Sequence, residues 1–412
     1  MHQRINGMRL GQRIDSLSAI GRDPTGGITR PFGSNAERQA REWFKQEAVQ
    51  DVGLTWRVDA AANMWAIHPG QEDLPMVAAG SHLDTVPHGG ALDGAAGVLM
   101  ALEAIQSLKE NGYPNRHPLA VLVFTAEEPN PFELSTLGSR LLTGRLAADQ
   151  LMEVTDGRGT SLADALERVG GNLTACGQLN PHVLSAFIEP HIEQGARLDR
   201  VGQPLSAVQG ITAIYRDRVT ILGEQNHGGT TRLVDRHDAL LAFADAARQF
   251  EELLAAQDGV VGTIGQADVY PNAINIVPSR VHFVMEMRSP DREVLHQRVD
   301  VYHRLLQQLS VERGVAVTIA PILDQPPSTL DAGIREVIEG LLTLHGVPTE
   351  SLYSLAGHDA THMARVLPSG MLFVRSIGGK SHCADEASHP EDLVLGAEVL
   401  AEALVALDQT LQ

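Results

Sequence analysis

Residues 80–94 read GSHLDTVPHGGALDG and follow a short apolar run, MVAA, at residues 76–79. The apolar run has the length and bulk of a buried β-strand. The stretch after it combines His82, the carboxylates of Asp84 and Asp93, and several glycines, which let the backbone approach other groups closely. A strand that leads into imidazole and carboxylate side chains is typical of a metal site at a sheet edge. The stretch therefore predicts part of such a site, with further ligands expected from other segments.

The composition is ordinary for a soluble globular enzyme. The chain has 412 residues, 43% hydrophobic and 20% charged, enough for two domains or one large one. Its net charge of −19 repels phosphate backbones, so we expect no nucleic-acid partner. No apolar run reaches membrane-spanning length, and residues 1–6 lack the apolar core of a signal peptide, so we expect no membrane association. Two cysteines, Cys176 and Cys383, cannot form a disulfide framework, which favours a cytoplasmic location.

Strand and helix patterns alternate on both sides of residues 80–94. A capping box at residues 34–37 precedes an amphipathic helix that extends to about residue 50. Residues 119–124 (LAVLVF) are almost continuously apolar, as expected for a central strand covered on both faces. The alternation predicts an α/β fold with a central mixed sheet. The other predicted elements are strands within 54–67, a helix over 97–109, an apolar segment over 186–195, a strand over 371–374 and a helix after Pro390.

From about residue 212 the pattern changes to a second domain. Its order is β-α-β-β-α-β, which is the ferredoxin-like order. We therefore predict a catalytic α/β domain of residues 1–211 and 332–412, interrupted by a domain of residues 212–331. The inserted elements are strands over 212–223, 262–270, 280–288 and 315–320, and helices over 235–256 and 291–313.

Four segments at predicted strand ends carry side chains that can bind metals. They contain His82 with Asp93, the pair 127–128 (both glutamates), His191, and His382. Taken singly, each has an ordinary structural explanation, because a lone histidine at a strand end is usually hydrogen-bonded and adjacent glutamates usually lie on a solvated loop. Spacing alone leaves both interpretations open.

Six segments, which occur in the order expected for one family, strengthen the metal interpretation. They are GSHLDTV (80–86), GGALDG (89–94), HIEQG (191–195), HGGTT (227–231), PNAINIVP (271–278) and AGHDA (356–360). This set resembles the M20 metallopeptidase superfamily. Within it, the set is most similar to the amidase branch of N-carbamoyl-L-amino acid hydrolases, allantoate amidohydrolases and β-ureidopropionases. The resemblance runs from about residue 25 to the C-terminus, and HIEQG and GHDA are specific to this branch.

The resemblance implies two divalent metal ions, which could be Zn, Mn, Co or Ni. Asp93 would bridge the two ions, His82 and His191 would hold one of them, and Glu128 and His382 would hold the other. Carboxylates and imidazoles suit all four metals, and a bridging carboxylate lets two cations lie a few ångströms apart.

Two further residues are expected to support this centre. Asp84 would orient His82 through the second imidazole nitrogen. By resemblance, Glu127 would be the general base that moves a proton from water to the departing nitrogen. The plainer interpretation of Glu127 is a structural neighbour of Glu128.

The resemblance also implies contacts to a small-molecule carboxylate substrate. His227, Asn275 and Arg288 match substrate-contacting positions that reach the site of the neighbouring subunit, which implies a homodimer and a lid and dimerisation role for the inserted domain. Arg288 could clamp a carboxylate bidentately, although a surface ion pair is an equal alternative from the residues alone. His227 could donate to the developing oxyanion. Three more residues would line the pocket: Gln194, Gly357 and His358.

Three segments depart from the usual family text. EEPNPF at residues 127–132 stands where Glu-Glu-Gly-x-Arg-Phe is usual, so an arginine near the metals is absent. HGGTTRL at 227–233 and SHCADE at 381–386 replace His-Ala-Gly-Thr-Thr-Pro-Met and Ser-His-Asn-Pro-Ala-Glu. The implied ligands and base are retained, and residues 129–131, 232–233 and 383–385 change the pocket walls. Arg232 is one candidate to replace the lost charge.

The function implied is a dinuclear metal-dependent amidohydrolase that cleaves a linear C–N bond of an N-carbamoyl (ureido) L-amino acid, giving an amino acid, CO2 and ammonia. Alternatives with the same metals are allantoate, another N-acyl amino acid, a hydrazide or a small peptide as substrate. A catalytically silent binding protein is opposed by the retention of all five ligands and Glu127. A serine amidase is opposed by the lack of a Gly-x-Ser-x-Gly elbow in the sequence.

Overall fold

The structure is a computed structural model that describes residues 5–71, 73–256 and 259–411, so most of the segment used in the signal-peptide argument lies outside it. The helices of these ranges are α1 (Gly7–Ser18), α2 (Asn35–Gln46), α3 (Ala95–Glu110), α4 (Leu137–Leu142), α5 (Leu162–Glu167), α6 (Arg197–Val201), α7 (Ala239–Ala255), α8 (Arg292–Arg313), α9 (Ala332–Leu344), α10 (Ala360–Met363) and α11 (Pro390–Thr410). The strands are β1 (Thr55–Val58), β2 (Met64–His68), β3 (Met76–His82), β4 (Leu119–Phe124), β5 (Leu184–Ile192), β6 (Leu205–Ile211), β7 (Ala213–Leu222), β8 (Asn226–His227), β9 (Val261–Tyr270), β10 (Ile276–Val277), β11 (Arg280–Ser289), β12 (Ala316–Gln325), β13 (Ser328–Thr329), β14 (Leu352–Ser354) and β15 (Ser369–Val374).

The chain divides into two compact units, which we call unit 1 (Met1–Gln209 with Thr329–Gln412) and unit 2 (Gly210–Ser328). The larger sheet is centred in unit 1 and, in the described ranges, has the order β1-β2-β4-β3-β5-β15-β6-β13, with β14 paired to β6. Strands β4, β3, β5 and β15 are parallel neighbours, while β2 and β6 pair with them in the antiparallel sense. The predicted α/β fold with a central mixed sheet is confirmed.

The centre of this sheet is buried on both faces. Every residue of β3 and β4 is buried, which explains their almost continuous apolar sequences. Helix α3 is buried from Ala95 to Leu108 and packs against β3, β4, β5 and α11. Its close approach to β5 depends on Gly97, because a Cβ there would lie 2.0 Å from the carbonyl oxygen of Pro190. The start of α3, just after Asp93, is thereby held against the end of β5 that carries His191.

Substituting Gly97 with alanine should destabilise the protein. The added methyl group must push α3 away from β5, and overpacking of this kind costs about 1–3 kcal/mol. The matched control is Gly340→Ala in α9, where a Cβ would meet nothing within 4 Å. Both changes place alanine inside a helix, so helix propensity favours both alike. Denaturant unfolding of the two variants should show a loss only for Gly97→Ala. Equal free energies of unfolding would contradict the packing argument.

Unit 2 contains a separate antiparallel sheet of order β12-β7-β11-β9. Buried and partly buried residues alternate along β11, as expected of a sheet with one face on a core. Helices α7 and α8 supply the other side of that core through residues such as Phe250 and Tyr302. A second short pairing joins β8 to β10 and places His227 opposite Ile276.

Most individual elements predicted from the sequence are confirmed. Ser34 caps α2 and accepts a hydrogen bond from the Glu37 amide, as the capping box predicts. The strand predicted over residues 76–79 is longer than expected, because β3 continues through Gly80 to His82. In the described ranges, none of the helices combines the length and apolar character needed to cross a membrane.

Candidate metal centre

The candidate centre lies where parallel strands of unit 1 end. His82 is the last residue of β3, and His191 is the penultimate residue of β5. Residues 127–128 lie just beyond the end of β4, after Thr125 and Ala126. Since β4, β3 and β5 are parallel neighbours, their carboxyl ends meet at the same edge of the sheet. His382 arrives from the loop after β15, which is parallel to β5. The fold thereby gathers side chains that are far apart in sequence.

Five of the predicted residues form two groups that share Asp93. The first group is His82, Asp93 and His191, the second is Asp93, Glu128 and His382, and the potential ligand atoms within each group lie within 4.8 Å of one another. Asp93 Oδ1 lies 3.2 Å from His191 Nε2 and 3.6 Å from His82 Nε2. Asp93 Oδ2 lies 3.2 Å from His382 Nε2, which is also 3.2 Å from Glu128 Oε1. One carboxylate therefore faces both groups, each through a different oxygen.

Hydrogen bonds set the two buried imidazoles for metal binding. His82 Nδ1 lies 3.0 Å from the carbonyl oxygen of Asp84, and His191 Nδ1 lies 2.8 Å from the carbonyl oxygen of Ile192. A carbonyl oxygen only accepts, so each Nδ1 carries the proton and donates it. In the neutral imidazole, Nε2 is then the nitrogen left to bind a cation, and in both residues it lies on the side of Asp93. This tautomer is the one that binds a cation through Nε2, and the residues present therefore fit a metal ion.

Charge within the centre is concentrated on Asp93. Burial opposes its ionisation, but the imidazoles of His191, His382 and His82 hold the pKa of this carboxyl well below its usual range. The same carboxylate and Glu128 raise the pKa of His382 to about 10. Asp93 is therefore an anion around which the three imidazoles are arranged. An anion in that place favours cations in both groups.

Glu127 lies beside this cluster. Its Oε2 is 3.8 Å from His82 Nε2, and its side chain is mostly buried. Burial raises the pKa of Glu127 well above its usual range, His82 opposes the shift, and Glu128 reinforces it. A carboxyl group whose pKa is raised by burial is a better proton acceptor than an exposed one and can return the proton later.

Asp84 acts differently from the prediction. Its backbone carbonyl, rather than its carboxylate, accepts the hydrogen bond of His82, and Oδ1 is 3.7 Å from that nitrogen. The carboxylate instead accepts the backbone N–H groups of Glu127 (3.2 Å) and Glu128 (3.0 Å). Burial raises the pKa of Asp84 to about 6. Asp84 therefore holds the loop that carries the candidate base and a candidate ligand.

The three residues expected to line the pocket occupy different environments. Gln194 donates from Nε2 to Asp93 Oδ2 at 2.7 Å, so it contacts the shared carboxylate. His358 is buried, its ring packs 4.5 Å from that of His191, and its Nε2 lies 2.7 Å from Ser354 Oγ. Gly357 is exposed. The His358 ring therefore packs against the ring of the candidate ligand His191.

The remaining predicted contacts lie in unit 2. His227 is exposed, and its Nδ1 accepts a hydrogen bond from the Gly229 amide at 3.0 Å. The amide of the next residue, Gly228, donates to the Asn275 carbonyl oxygen at 2.8 Å. Arg288 donates from Nε to Glu286 at 2.6 Å, which is the ion pair considered as its alternative. Arg232 forms an exposed ion pair with Asp235. His227 and Asn275 are therefore neighbours within unit 2.

Sequence reasoning missed two buried carboxylates near the centre. Glu189 accepts hydrogen bonds from Ser81 Oγ (2.8 Å) and the Ala360 amide (2.7 Å). Its signal was available, because an acidic residue interrupts the apolar segment of β5. Glu386 accepts the amide of Asp93 at 3.0 Å, and it lies in the SHCADE segment.

Comparison with known proteins decides the family. The sequence profile of peptidase family M20/M25/M40 matches residues 78–406. The chain belongs to this family. It is 36% identical to an N-carbamoyl-L-amino acid amidohydrolase of Geobacillus stearothermophilus, an alignment that covers 98% of this chain and 99% of the relative. It is 34% identical to a ureidoglycolate hydrolase of Oryza sativa subsp. japonica, with 97% and 84% covered.

Solved structures agree with the M20 assignment. The crystal structure of an amidase of the hydantoinase/carbamoylase family from Burkholderia multivorans superposes with a TM-score of 0.89 at 29% identity, with 98% of both chains covered. The predicted resemblance to the amidase branch of the M20 superfamily is confirmed, as is the prediction of a hydrolase. M20 enzymes depend on metal ions, and the two groups around Asp93 supply candidate ligands.

Proposed function

We propose that this M20 hydrolase cleaves the linear C–N bond of an N-carbamoyl-L-amino acid and yields an amino acid, CO2 and ammonia. The observation that carries the proposal is the position of Asp93, whose two oxygens face two separate groups of candidate ligands. The reaction type is supported by the relatives, whose names describe amidohydrolases of N-carbamoyl amino acids.

The two groups would hold two divalent cations. His82 and His191 would bind one, Glu128 and His382 the other, and Asp93 both. Further support comes from Glu128 Oε1, a buried oxygen that lies 3.2 Å from the other candidate ligand, His382 Nε2, and accepts no hydrogen bond from the rest of the described residues. The mixture of imidazoles and carboxylates suits Zn, Mn, Co or Ni. When bound, such cations supply Lewis-acid polarisation of the scissile carbonyl and lower the pKa of the attacking water.

Glu127 would move the proton. It would accept a proton from the attacking water and donate it to the departing nitrogen. Its raised pKa, which burial causes, supports both halves of this task. Asp84 would keep the carboxylate of Glu127 in place by accepting the backbone N–H groups of residues 127 and 128.

The residues of unit 2 would bind the substrate. Arg288, with Asn275, would hold the substrate carboxylate, and His227 would donate to the developing oxyanion. This assignment rests on the matching family positions, as does the role of Gln194, Gly357 and His358 in the pocket. The hydrogen bond from the Gly228 amide to the Asn275 carbonyl supports a common role for His227 and Asn275.

Unit 2 (Gly210–Ser328) would correspond to the domain predicted over residues 212–331, a ferredoxin-like lid and dimerisation domain in a cytoplasmic homodimer. The strand order β12-β7-β11-β9, with antiparallel neighbours, supports the ferredoxin-like topology. Strand β9 is an edge strand whose residues are mostly exposed, and Ile274 nearby is fully exposed. An exposed edge strand offers unpaired backbone groups with which a second chain can pair.

A different ureido acid is the second candidate substrate. The relative named ureidoglycolate hydrolase favours this class, and allantoate, N-acyl amino acids, hydrazides and small peptides share the chemistry. The departures at residues 129–131, 232–233 and 383–385 lie outside the candidate ligands, so we expect them to affect substrate choice rather than metal binding.

A substrate panel tests the proposed function. The protein is stripped of metal, reloaded separately with Zn, Mn, Co or Ni, and assayed with N-carbamoyl, N-formyl and N-acetyl amino acids, allantoate and ureidoglycolate. We expect the highest kcat/KM for an N-carbamoyl-L-amino acid. The matched control is the alkylurea that lacks only the carboxylate, which should react poorly if Arg288 binds that group. Preference for allantoate or ureidoglycolate would establish the second candidate, and equal turnover of acid and alkylurea would contradict the role of Arg288.

A further inference from the structure

We propose that Glu386 is a positioning residue that fixes the shared carboxylate Asp93, an inference that rests on the proposed function. Glu386 is only 7% exposed. Its Oε1 accepts the backbone N–H groups of Leu92 (2.7 Å) and Asp93 (3.0 Å). One oxygen of Glu386 therefore binds two successive amides at the turn that carries Asp93, almost three hundred residues earlier in the chain.

Ser381 extends this arrangement to the side chain of Asp93. Its Oγ lies 2.8 Å from Asp93 Oδ2 and 2.8 Å from Glu386 Oε2. A hydroxyl group has one proton, so Ser381 donates to one of these carboxylates at a time. Ser381 also precedes His382, a member of the second group. Glu386 thus contacts the backbone of Asp93 directly and its carboxylate through Ser381.

Gly90 makes room for the Glu386 carboxylate. A Cβ at Gly90 would lie 2.1 Å from Glu386 Oε1 and 2.2 Å from its Cδ. The backbone angle φ of Gly90 is not in the left-handed region, so the glycine is required for space rather than for its conformation. The carboxylate therefore lies directly against the backbone of residues 89–94, and a side chain at position 90 would displace it.

Both carboxylate oxygens of Glu386 are engaged in hydrogen bonds, which indicates a supporting residue rather than a ligand. Among the described residues, neither group of candidate ligands includes it. It acts through Asp93, because its removal would leave the buried amides of Leu92 and Asp93 without their acceptor. The turn would then relax, and the two oxygens of Asp93 would no longer be held between the two groups. Loss of such a supporting contact lowers metal affinity by about 10–100-fold.

The test compares Glu386→Ala with Glu386→Gln. Glutamine keeps a carbonyl oxygen for the two amides, and its NH2 group can donate to Ser381, which then donates to Asp93. Alanine keeps neither contact. Zinc affinity is measured by chelator competition on the full-length protein, and thermal unfolding in excess chelator compares the folds without metal. We expect a fall in zinc affinity of about 10–100-fold for Glu386→Ala and an affinity close to wild type for Glu386→Gln.

Gly90→Ala provides a second, independent variant, because it keeps the carboxylate and displaces it. It should lose zinc affinity as Glu386→Ala does, and it carries the test if Glu386→Ala does not fold. Wild-type affinity in both Glu386→Ala and Gly90→Ala would overturn the inference, as would equal losses in the alanine and glutamine variants at position 386. Failure of the wild-type protein to bind zinc, manganese, cobalt or nickel would instead refute the proposed function, and this inference with it.

Discussion

Replacing Glu127 with glutamine should lower kcat by about 10²–10⁴-fold, the usual contribution of a positioned acid–base group. This corresponds to about 3–5 kcal/mol of activation free energy. Glutamine keeps the shape of the side chain but cannot accept a proton from water or return it to the leaving nitrogen. Glu127 belongs to neither group around Asp93, so cation binding and KM should change little. Steady-state kinetics and metal analysis of the same preparation measure both.

Glu128→Gln is the matched control for this experiment. The two glutamates are adjacent, and their backbone amides both donate to Asp84. Only Glu128 belongs to a group of candidate ligands, so its glutamine variant should lose cation affinity. If Glu127→Gln binds cations and turns over as fast as wild type, the mechanism assigned to Glu127 is wrong. If it loses cations as Glu128→Gln does, Glu127 acts as a ligand.

Replacing Asp93 with asparagine should have the largest effect on metal binding. The change preserves size but removes the negative charge that faces His191 through Oδ1 and His382 through Oδ2. We expect cation affinity to fall by more than about 100-fold, the upper end of the effect of supporting residues, and turnover to fall with it. Metal content after gel filtration and titration with zinc measure the loss.

Asp217→Asn is the control for the loss of a buried carboxylate. Asp217 is fully buried in unit 2, and its Oδ2 lies 2.6 Å from His303 Nε2. Its substitution breaks a carboxylate–imidazole pair without touching Asp93, so cation affinity should remain that of the wild type. An Asp93→Asn protein that retains two cations per chain and full turnover would contradict the shared-ligand arrangement.

The central strands of the fold can be predicted from sequence because burial on both faces demands long apolar runs. Strands β3 and β4 each show such a run. Helices α4 and α5 are not predicted, since six residues complete fewer than two turns and leave no periodicity to detect.

The candidate site is less accessible to sequence reasoning. Residue types and strand ends point to His82 and His191, but only resemblance connects them to His382, because spacing holds no information about contacts across three hundred residues. The backbone conformation near the site cannot be predicted from sequence either. Ala126, Gln194 and His382 have positive φ angles of 53°, 60° and 57°. None of the three is glycine, so no residue type marks these turns. The carboxylate of Asp84 could contact either the His82 imidazole or the backbone amides of residues 127 and 128. Only the structure shows that it accepts hydrogen bonds from the two amides.

The insertion of unit 2 within unit 1 has a consequence for biosynthesis. Four candidate ligands precede the insertion, whereas His382, with Ser381 and Glu386, follows it. During translation, the earlier segment emerges first and folds while the later one is still being made. The nascent chain would therefore present an incomplete set of candidate ligands until the segment that carries His382 has been made and β15 has paired with β5.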